Sequence, residues 1–255
     1  MRTARVRIPG AAGIVSATVQ GESQPLLVGE HAVPWAHVRF EPAADGLVYG
    51  VILNDHDALR ALGVALNEPP YKAPPQAPIL YIKPYNTHVG HGAVVHLPQG
   101  ADQVEILGAL GIVFGSPATR VAEARALESV RGFTVVTDLS LPQESLYRPP
   151  IREKCFDGAC PMGPWVVDRD EVADPAALEV SVTVNGELRQ RRNLSGLIRS
   201  VPRLIADVTE FMTLHPGDVL LAGVPIAGPF ARAGETIAVE IAGIGSLENR
   251  IEAAA

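Results

Sequence analysis

The chain has 255 residues and carries 21 Lys and Arg against 28 Asp and Glu, which gives a formal net charge of −7. This balance argues against a nucleic-acid partner, because binding to phosphates needs clustered cations. Hydrophobic residues make up 47% and charged residues 19% of the chain, a composition typical of a folded protein and too apolar for a disordered one.

We expect neither a membrane partner nor a cleaved signal peptide. No stretch of about 18 residues is free of Gly, Pro and charge, and the apolar run 8–19 near the basic N-terminus is broken by Pro9 and by glycines. The two cysteines, Cys155 and Cys160, are too few for a disulfide framework. We therefore expect a cytoplasmic location.

The elements expected from the hydrophobic pattern are mostly strands. Val- and Ile-rich runs between Gly and Pro turns predict strands over residues 4–8, 14–19, 38–40, 47–53, 79–83, 93–97, 104–114, 134–138, 178–184 and 219–221. Helical spacing of apolar residues predicts helices over 56–66, 121–130 and 194–214. Because the strands come in runs and do not alternate with helices, we expect a mixed or antiparallel β architecture with a few packed helices.

Three histidines lie close together in sequence, at His88, His91 and His96, and imidazole is a common metal ligand. On one strand, the first and last would lie about 26 Å apart at about 3.3 Å per residue. A shared metal site would therefore need a turn between them, and we do not assign one.

A proline-stiffened loop over 146–158 carries Tyr147, Arg148 and Lys154. Its cations can hold a small anion, or the loop can be a solvated basic segment. Lys83 ends an otherwise apolar strand, so its ammonium either reaches solvent at the sheet edge or is buried against a ligand.

Six segments, in the same order along the chain, resemble the fumarylacetoacetate hydrolase family and together span about residues 47–251. They are YIKPYNT at 81–87, LGIVFG at 110–115, RGFTVVTDLS at 131–140, VNGELRQ at 184–190, LHPGDV at 214–219 and GIGSLEN at 243–249. The resemblance implies a mixed, mostly β fold with a rolled, twisted β-sheet core and a few packed helices. It also implies a small N-terminal β region over 1–46 and a catalytic domain over 47–255.

Within the family, the runs 70–75 and 140–149 are most similar to the N-terminal half or subunit of bacterial isomerase/decarboxylases of homoprotocatechuate breakdown. This similarity implies action on 2-hydroxyhepta-2,4-diene-1,7-dioate, on 5-oxopent-3-ene-1,2,5-tricarboxylate, or on both. The implied partners are a small dicarboxylate or tricarboxylate substrate and either a second copy of the chain or a sibling subunit.

One departure from the family pattern concerns its divalent metal, usually magnesium or manganese. The two positions of the family's Glu-x-Glu pair fall on Leu107 and Ala109, whereas Asp138 keeps the aspartate position. Glu105 would share the strand face of Leu107. We therefore expect magnesium or manganese to bind weakly or not at all, with Asp138 and Glu105 as the candidate ligands.

A second departure concerns the acid/base pair His-x-x-Glu, whose positions after Asn54 fall on Ala58 and Ala61. We therefore name His56 as a candidate base, with Asp138 as the alternative.

The remaining candidate residues follow from the resemblance, which places Lys83, Arg148 and Lys154 around the pocket. We predict catalytic roles for Lys83, Lys154 and His56, and substrate binding by Arg148, Tyr147 and Lys83. Cations suit a dicarboxylate dienol because they hold carboxylates and stabilise the charge that develops on an enolate oxygen.

Two alternatives stay open. The missing Glu pair is compatible with a metal-poor, non-catalytic subunit that assembles with a catalytic sibling. A carbon–carbon hydrolase of acylpyruvates is the other, and the missing His-x-x-Glu pair speaks against it.

Overall fold

The computed structural model describes residues 1–21, 24–69, 72–143 and 150–254. The strands are β1 (Arg2–Arg7), β2 (Val15–Val19), β3 (Leu26–Val28), β4 (His31–Val33), β5 (Arg39–Phe40), β6 (Val48–Ile52), β7 (Ile79–Lys83), β8 (His88–Val89), β9 (Val94–His96), β10 (Gln103–Phe114), β11 (Val130–Ser140), β12 (Cys160–Asp168), β13 (Glu179–Val184), β14 (Glu187–Asn193), β15 (Val219–Leu221), β16 (Phe230–Arg232), β17 (Thr236–Ile241) and β18 (Gly245–Glu252). The α-helices are α1 (His56–Leu62), α2 (Ile151–Lys154) and α3 (Val201–Thr209). The 3-10 helices of the described ranges are Trp35–His37, Gly63–Asn67, Tyr85–Thr87, Glu123–Ser129, Arg169–Glu171, Pro175–Ala177 and Leu194–Gly196.

Within these ranges the strands form a 13-stranded and a 5-stranded sheet. The larger sheet runs in the order β4-β3-β2-β1-β12-β11-β10-β15-β6-β7, with β16, β5 and β8 paired beside this path, and the smaller in the order β14-β13-β17-β18-β9. The fold is therefore mostly β with few helices, as predicted.

The main hydrophobic core lies between the two sheets. Gly108 marks the close approach of β10 to the smaller sheet, because a Cβ there would lie 2.9 Å from Val239 and 3.0 Å from Val180. Since successive residues of a strand face opposite sides, Leu107 and Ala109 point away from the smaller sheet. They belong to a second apolar cluster on that other face.

The larger sheet curls on itself. β7 ends its strand order, and β6, β15 and β10 lie between β7 and β11. The Lys83 ammonium at the end of β7 nevertheless donates a hydrogen bond to the Leu139 carbonyl of β11 at 3.0 Å. This rolled sheet brings the end of β7 against the middle of the sheet.

The N-terminal strands continue the larger sheet, because β1 pairs with β12 through Arg2 opposite Val167. The N-terminal strands also pack on the loop after β8, where Gly90 lies against the Phe40 backbone of β5. The division of the chain at residues 46 and 47 stays a prediction.

Two predicted helices differ from the structure. The segment 121–130 forms the 3-10 helix Glu123–Ser129. Within the segment 194–214, the α-helix α3 covers only the nine residues Val201–Thr209. Pro202 stands in the first turn of α3, and the Ser200 side chain caps it by accepting from the Arg203 backbone. Proline suits a first turn and disrupts a helix interior, so the apolar stripe predicted a longer helix than the chain forms.

No helix in the described part of the chain is long and apolar enough to cross a membrane.

Gly90→Ala should destabilise the fold by about 1–3 kcal/mol, because overpacking forces the backbone to move. A Cβ at Gly90 would lie 2.3 Å from the Phe40 carbonyl oxygen. Gly13→Ala is the control, since a Cβ at Gly13 meets nothing within 4 Å. Urea unfolding of both variants measures the difference. Equal stability of the two variants would contradict the packing of the N-terminal strands on this loop.

Candidate active site

The candidate site lies on the face of β10 and β11 that points away from the smaller sheet. Leu107 stands opposite Asp138 in the antiparallel register, and Glu105 stands opposite Ser140. Directly opposed residues share a face, so the two carboxylates and Leu107 lie side by side. Asp138 is fully buried there.

The Asp138 carboxylate has three donors around it. Tyr81 Oη donates to Oδ2 at 2.5 Å, and Lys154 Nζ donates to the same oxygen at 2.8 Å. Lys83 Nζ forms an ion pair with Oδ1 at 2.7 Å. Two ammonium groups therefore share this one carboxylate, and Glu105 lies beside them on the same face.

Lys83 is fully buried, and its ammonium is saturated. Besides its ion pair with Asp138, Nζ donates to the Leu139 carbonyl at 3.0 Å and to the Lys154 carbonyl at 2.6 Å. An ammonium group has three donors. Each of them has a protein partner, and together they tie β7 to β11 and α2.

Lys154 ends α2 and is 3% exposed. Among the described residues, its Nζ donates one hydrogen bond, to Asp138. The ammonium also lies 5.0 Å from the centroid of the Tyr81 ring, a cation–π distance. Two of its N–H groups thus have no partner within the described ranges.

Tyr81 is a site residue to which the sequence assigned no role. It precedes Lys83 by two residues on β7, and this period places both on one face of the strand. Gly50 of β6 makes room for its ring, because a Cβ there would lie 1.9 Å from Tyr81 Cζ. The alternation along β7 was the signal that could have identified Tyr81.

The pKa values of the two carboxylates in the site shift in opposite directions. Burial alone would raise the pKa of Asp138, but the charges and hydrogen bonds of Lys154 and Lys83 outweigh it and lower that pKa from 3.8 to about 2. Burial raises the pKa of Glu105, against the hydrogen bond from the Gly228 backbone and the charge of Lys154. Asp138 therefore stays ionised at any ordinary pH.

The groups beside Asp138 stay protonated. Burial, followed by the charge of Asp138, raises the pKa of Tyr81 well above its ordinary value, so the phenol remains a donor. Burial raises the pKa of the Cys160 thiol to about 12. A nucleophilic thiolate at Cys160 is therefore not available to this site.

The donor set does not fit the divalent metal of the family. A magnesium-like cation needs several oxygen ligands, but Leu107 and Ala109 offer none, and Asp138 already holds two ammonium groups. Glu105 accepts a hydrogen bond from the Gly228 backbone at 2.8 Å. The described ranges contain no group of three His, Cys, Asp or Glu that would hold a metal.

Of the other predicted site residues, His56 is described and is not joined to this group. His56 is exposed at the start of α1, after the capping residue Asp55, and no hydrogen bond or ion pair between described residues links it to Asp138. Tyr147 and Arg148 lie outside the described residues.

The three clustered histidines each have a backbone partner. His88 Nε2 lies 3.0 Å from the Lys83 carbonyl, His91 Nδ1 accepts from the Glu248 N–H, and the ring of His96 bonds the carbonyl of Ala253. These contacts are those of structural histidines.

Residues 47–252 match the sequence profile described as Fumarylacetoacetate (FAA) hydrolase C-terminal. Over 180 residues the chain is 40% identical to a Salmonella dublin protein named 4-hydroxyphenylacetate degradation bifunctional isomerase/decarboxylase. The match covers 70% of the chain but 42% of that relative. The chain thus spans less than half of the relative's length.

Two solved structures share the fold. The 2-hydroxyhepta-2,4-diene-1,7-dioate isomerase from Mycobacterium marinum is 30% identical, with a TM-score of 0.81 over 99% of this chain and 98% of that one. The fumarylpyruvate hydrolase from Pseudomonas aeruginosa, solved with Mn²⁺ and pyruvate, is 25% identical, with a TM-score of 0.71 over 84% and 92%. A metal is therefore held by a structure with this fold.

Asp138→Asn should lower the free energy of unfolding at pH 7 by about 3–5 kcal/mol, because it leaves two buried ammonium groups without a counter-ion. The pKa of Asp138 is lower in the folded chain, about 2, than its ordinary 3.8. Its stabilisation is therefore complete above pH about 4 and is lost as the pH falls towards about 2.

Urea unfolding of both proteins across this pH range measures the effect, with Asp170→Asn as the control. Asp170 is 88% exposed in its ion pair with Arg169, so that change should cost almost nothing. A stability difference for Asp138→Asn that stays constant between pH about 4 and about 2 would contradict the ion pairs.

Proposed function

Because the chain belongs to the fumarylacetoacetate hydrolase family, as its motifs predicted, we propose that it is an isomerase, a decarboxylase or both. Its proposed substrates are 2-hydroxyhepta-2,4-diene-1,7-dioate and 5-oxopent-3-ene-1,2,5-tricarboxylate. Support comes from the names of its relatives, one a bifunctional isomerase/decarboxylase and one an isomerase of this dienol.

The observation that carries the proposal is the pairing of two buried ammonium groups with one carboxylate, at Lys83, Lys154 and Asp138. Ammonium groups at this position suit a substrate that carries two or three carboxylates. The same charge suits the transition state, in which negative charge develops on one oxygen.

Both reactions pass through the same dienolate. In isomerisation, the enol O–H proton leaves and a proton adds to C5, so that the C2 oxygen becomes a ketone. In decarboxylation, the electrons of the broken C–C bond move through the adjacent alkene onto the oxo group, and CO₂ leaves. The oxygen gains charge in each case, and a fixed ammonium donor such as Lys154 stabilises that charge.

The proton transfers need a base with a suitable pKa. Asp138, whose pKa is lowered to about 2, is a weak base despite its place in the site. His56 therefore remains the proposed base, and Arg148 and Tyr147 remain proposed contacts to substrate carboxylates.

We also propose that magnesium or manganese binds weakly or not at all, because the Glu-x-Glu positions are Leu107 and Ala109. No step above passes through a metal. Assembly with a second copy or with a sibling subunit, and a cytoplasmic location, are further parts of the proposal.

A second candidate function is that of a non-catalytic subunit, and the apolar residues at Leu107 and Ala109 favour it. It would be inactive alone and would raise the activity of a catalytic sibling on mixing. Full turnover by the isolated chain would exclude this alternative.

Lys154→Met should lower kcat/KM for the dienol dioate by about 100-fold or more, since removal of one donor to an oxyanion costs that much. Loss of the dienol absorbance measures turnover. Lys72→Met is the matched control, because Lys72 is exposed and should keep the parent rate.

Two results would contradict the proposal. One is a Lys154→Met protein that works at the parent rate. The other is a folded parent protein that converts neither substrate, with or without magnesium.

A further inference from the structure

The site contains a buried carboxylate whose surroundings are unusual for a metal ligand. Asp138 receives Tyr81 and Lys154 on one oxygen and Lys83 on the other. These contacts fill three of its roughly four lone-pair positions. The relative with Mn²⁺ shows that this fold can hold a cation, but here cationic side chains hold the carboxylate.

We infer that Tyr81 and Lys83 are positioning residues that fix Asp138 as the counter-ion of Lys154, so that a lysine ammonium replaces the divalent cation of metal-binding relatives. The inference rests on the proposed function and assigns a separate role in it to each of these residues. Lys154 is the catalytic residue that contacts substrate, and the other two act through Asp138.

The three donors of Lys83 determine its role. All three are used by Asp138, Leu139 and Lys154. A substrate contact would break one of these bonds inside a site from which water is excluded. Lys83 therefore holds the backbone at the end of α2 in place. This positioning role replaces the catalytic role that the sequence suggested.

Lys154 has fewer contacts than Lys83 in the described part of the chain. Its ammonium has one hydrogen-bond partner among the described residues and lies over the Tyr81 ring at 5.0 Å. Within the described ranges its other two N–H donors have no acceptor, and we assign them to a substrate oxygen. Lys154 donates to the adjacent Asp138 carboxylate at 2.8 Å, and we assign it the role of a hydrogen-bond donor to substrate, not of an amine nucleophile.

Gly50 makes this arrangement possible. Any side chain there would collide with the Tyr81 ring, since even a Cβ would lie 1.9 Å from Cζ. The ring would be displaced, and its hydroxyl would lose Asp138. The Tyr81 ring thus needs glycine at position 50, and it packs against the apolar cluster that contains Leu107 and Ala109.

The first test is a titration of the purified chain with Mn²⁺, followed by electron paramagnetic resonance of the free ion. The inference predicts no binding tighter than about 1 mM, the weak end of the range for oxygen-ligand sites. Uptake of one Mn²⁺ per chain with a Kd below about 10 µM, lost in Asp138→Ala, would overturn it. If that variant does not fold, loss of uptake in Glu105→Gln has the same meaning.

The second test compares Tyr81→Phe with Tyr85→Phe. The first change removes only the hydroxyl that holds Asp138, and the second is the same change at a residue that is 62% exposed. Tyr81→Phe should lower kcat by about 10-fold with little change in KM, because misplacement of a catalytic group costs rate. Tyr85→Phe should keep both constants.

Equal kinetics of the two variants would overturn the positioning role of Tyr81. A covalent adduct trapped on Lys154 by borohydride in the presence of substrate would overturn its role as an ammonium donor. If no protein turns over substrate, the proposed function fails and with it the catalytic role of Lys154. The Mn²⁺ titration still decides whether the lysine ammonium groups occupy the place of a divalent cation.

Discussion

The ion pairs of Asp138 with Lys83 and Lys154 join three parts of the chain that are distant in sequence. They close the rolled sheet, because β7 has no backbone pairing with β11 and reaches it through these side chains. Removing two ammonium groups and a carboxylate from water is costly. Such a group is stable only when each charge has a counter-ion, and Asp138 is the counter-ion of both ammonium groups.

The same group determines the chemistry that the site can support. A buried ammonium group that is fixed in place binds carboxylates and stabilises an oxyanion without reorganising at the moment of reaction. The family membership and the names of the relatives point to reactions that need this stabilisation. Fold and proposed function thus depend on one set of contacts.

Much of the fold was predictable because its core strands carry their own signal. β10 and β11 are long apolar runs, buried over nearly their whole length, and such runs predict interior strands. The length of α3 was not predictable from its apolar stripe, since Pro202 and the Ser200 cap determine where it begins.

The site was predictable only in part. Lys83, Lys154 and Asp138 were named from the resemblance, but their mutual contacts depend on how far the sheet rolls, which no local pattern encodes. Gly50 was missed for the same reason, since its role depends on the Tyr81 ring of the neighbouring strand. Tyr81 shares a strand face with Lys83, and that alternation was a local signal that the sequence analysis did not use. The roles of His56, Arg148 and Tyr147 stay predictions.

In the proposed reaction the Lys154 ammonium, and not a metal, stabilises the dienolate. The most direct test is the rate of ketonisation of 2-hydroxyhepta-2,4-diene-1,7-dioate by chelator-treated protein, with and without added Mg²⁺. We expect the same rate in both conditions. A rate that disappears in chelator and returns with Mg²⁺ would contradict the claim.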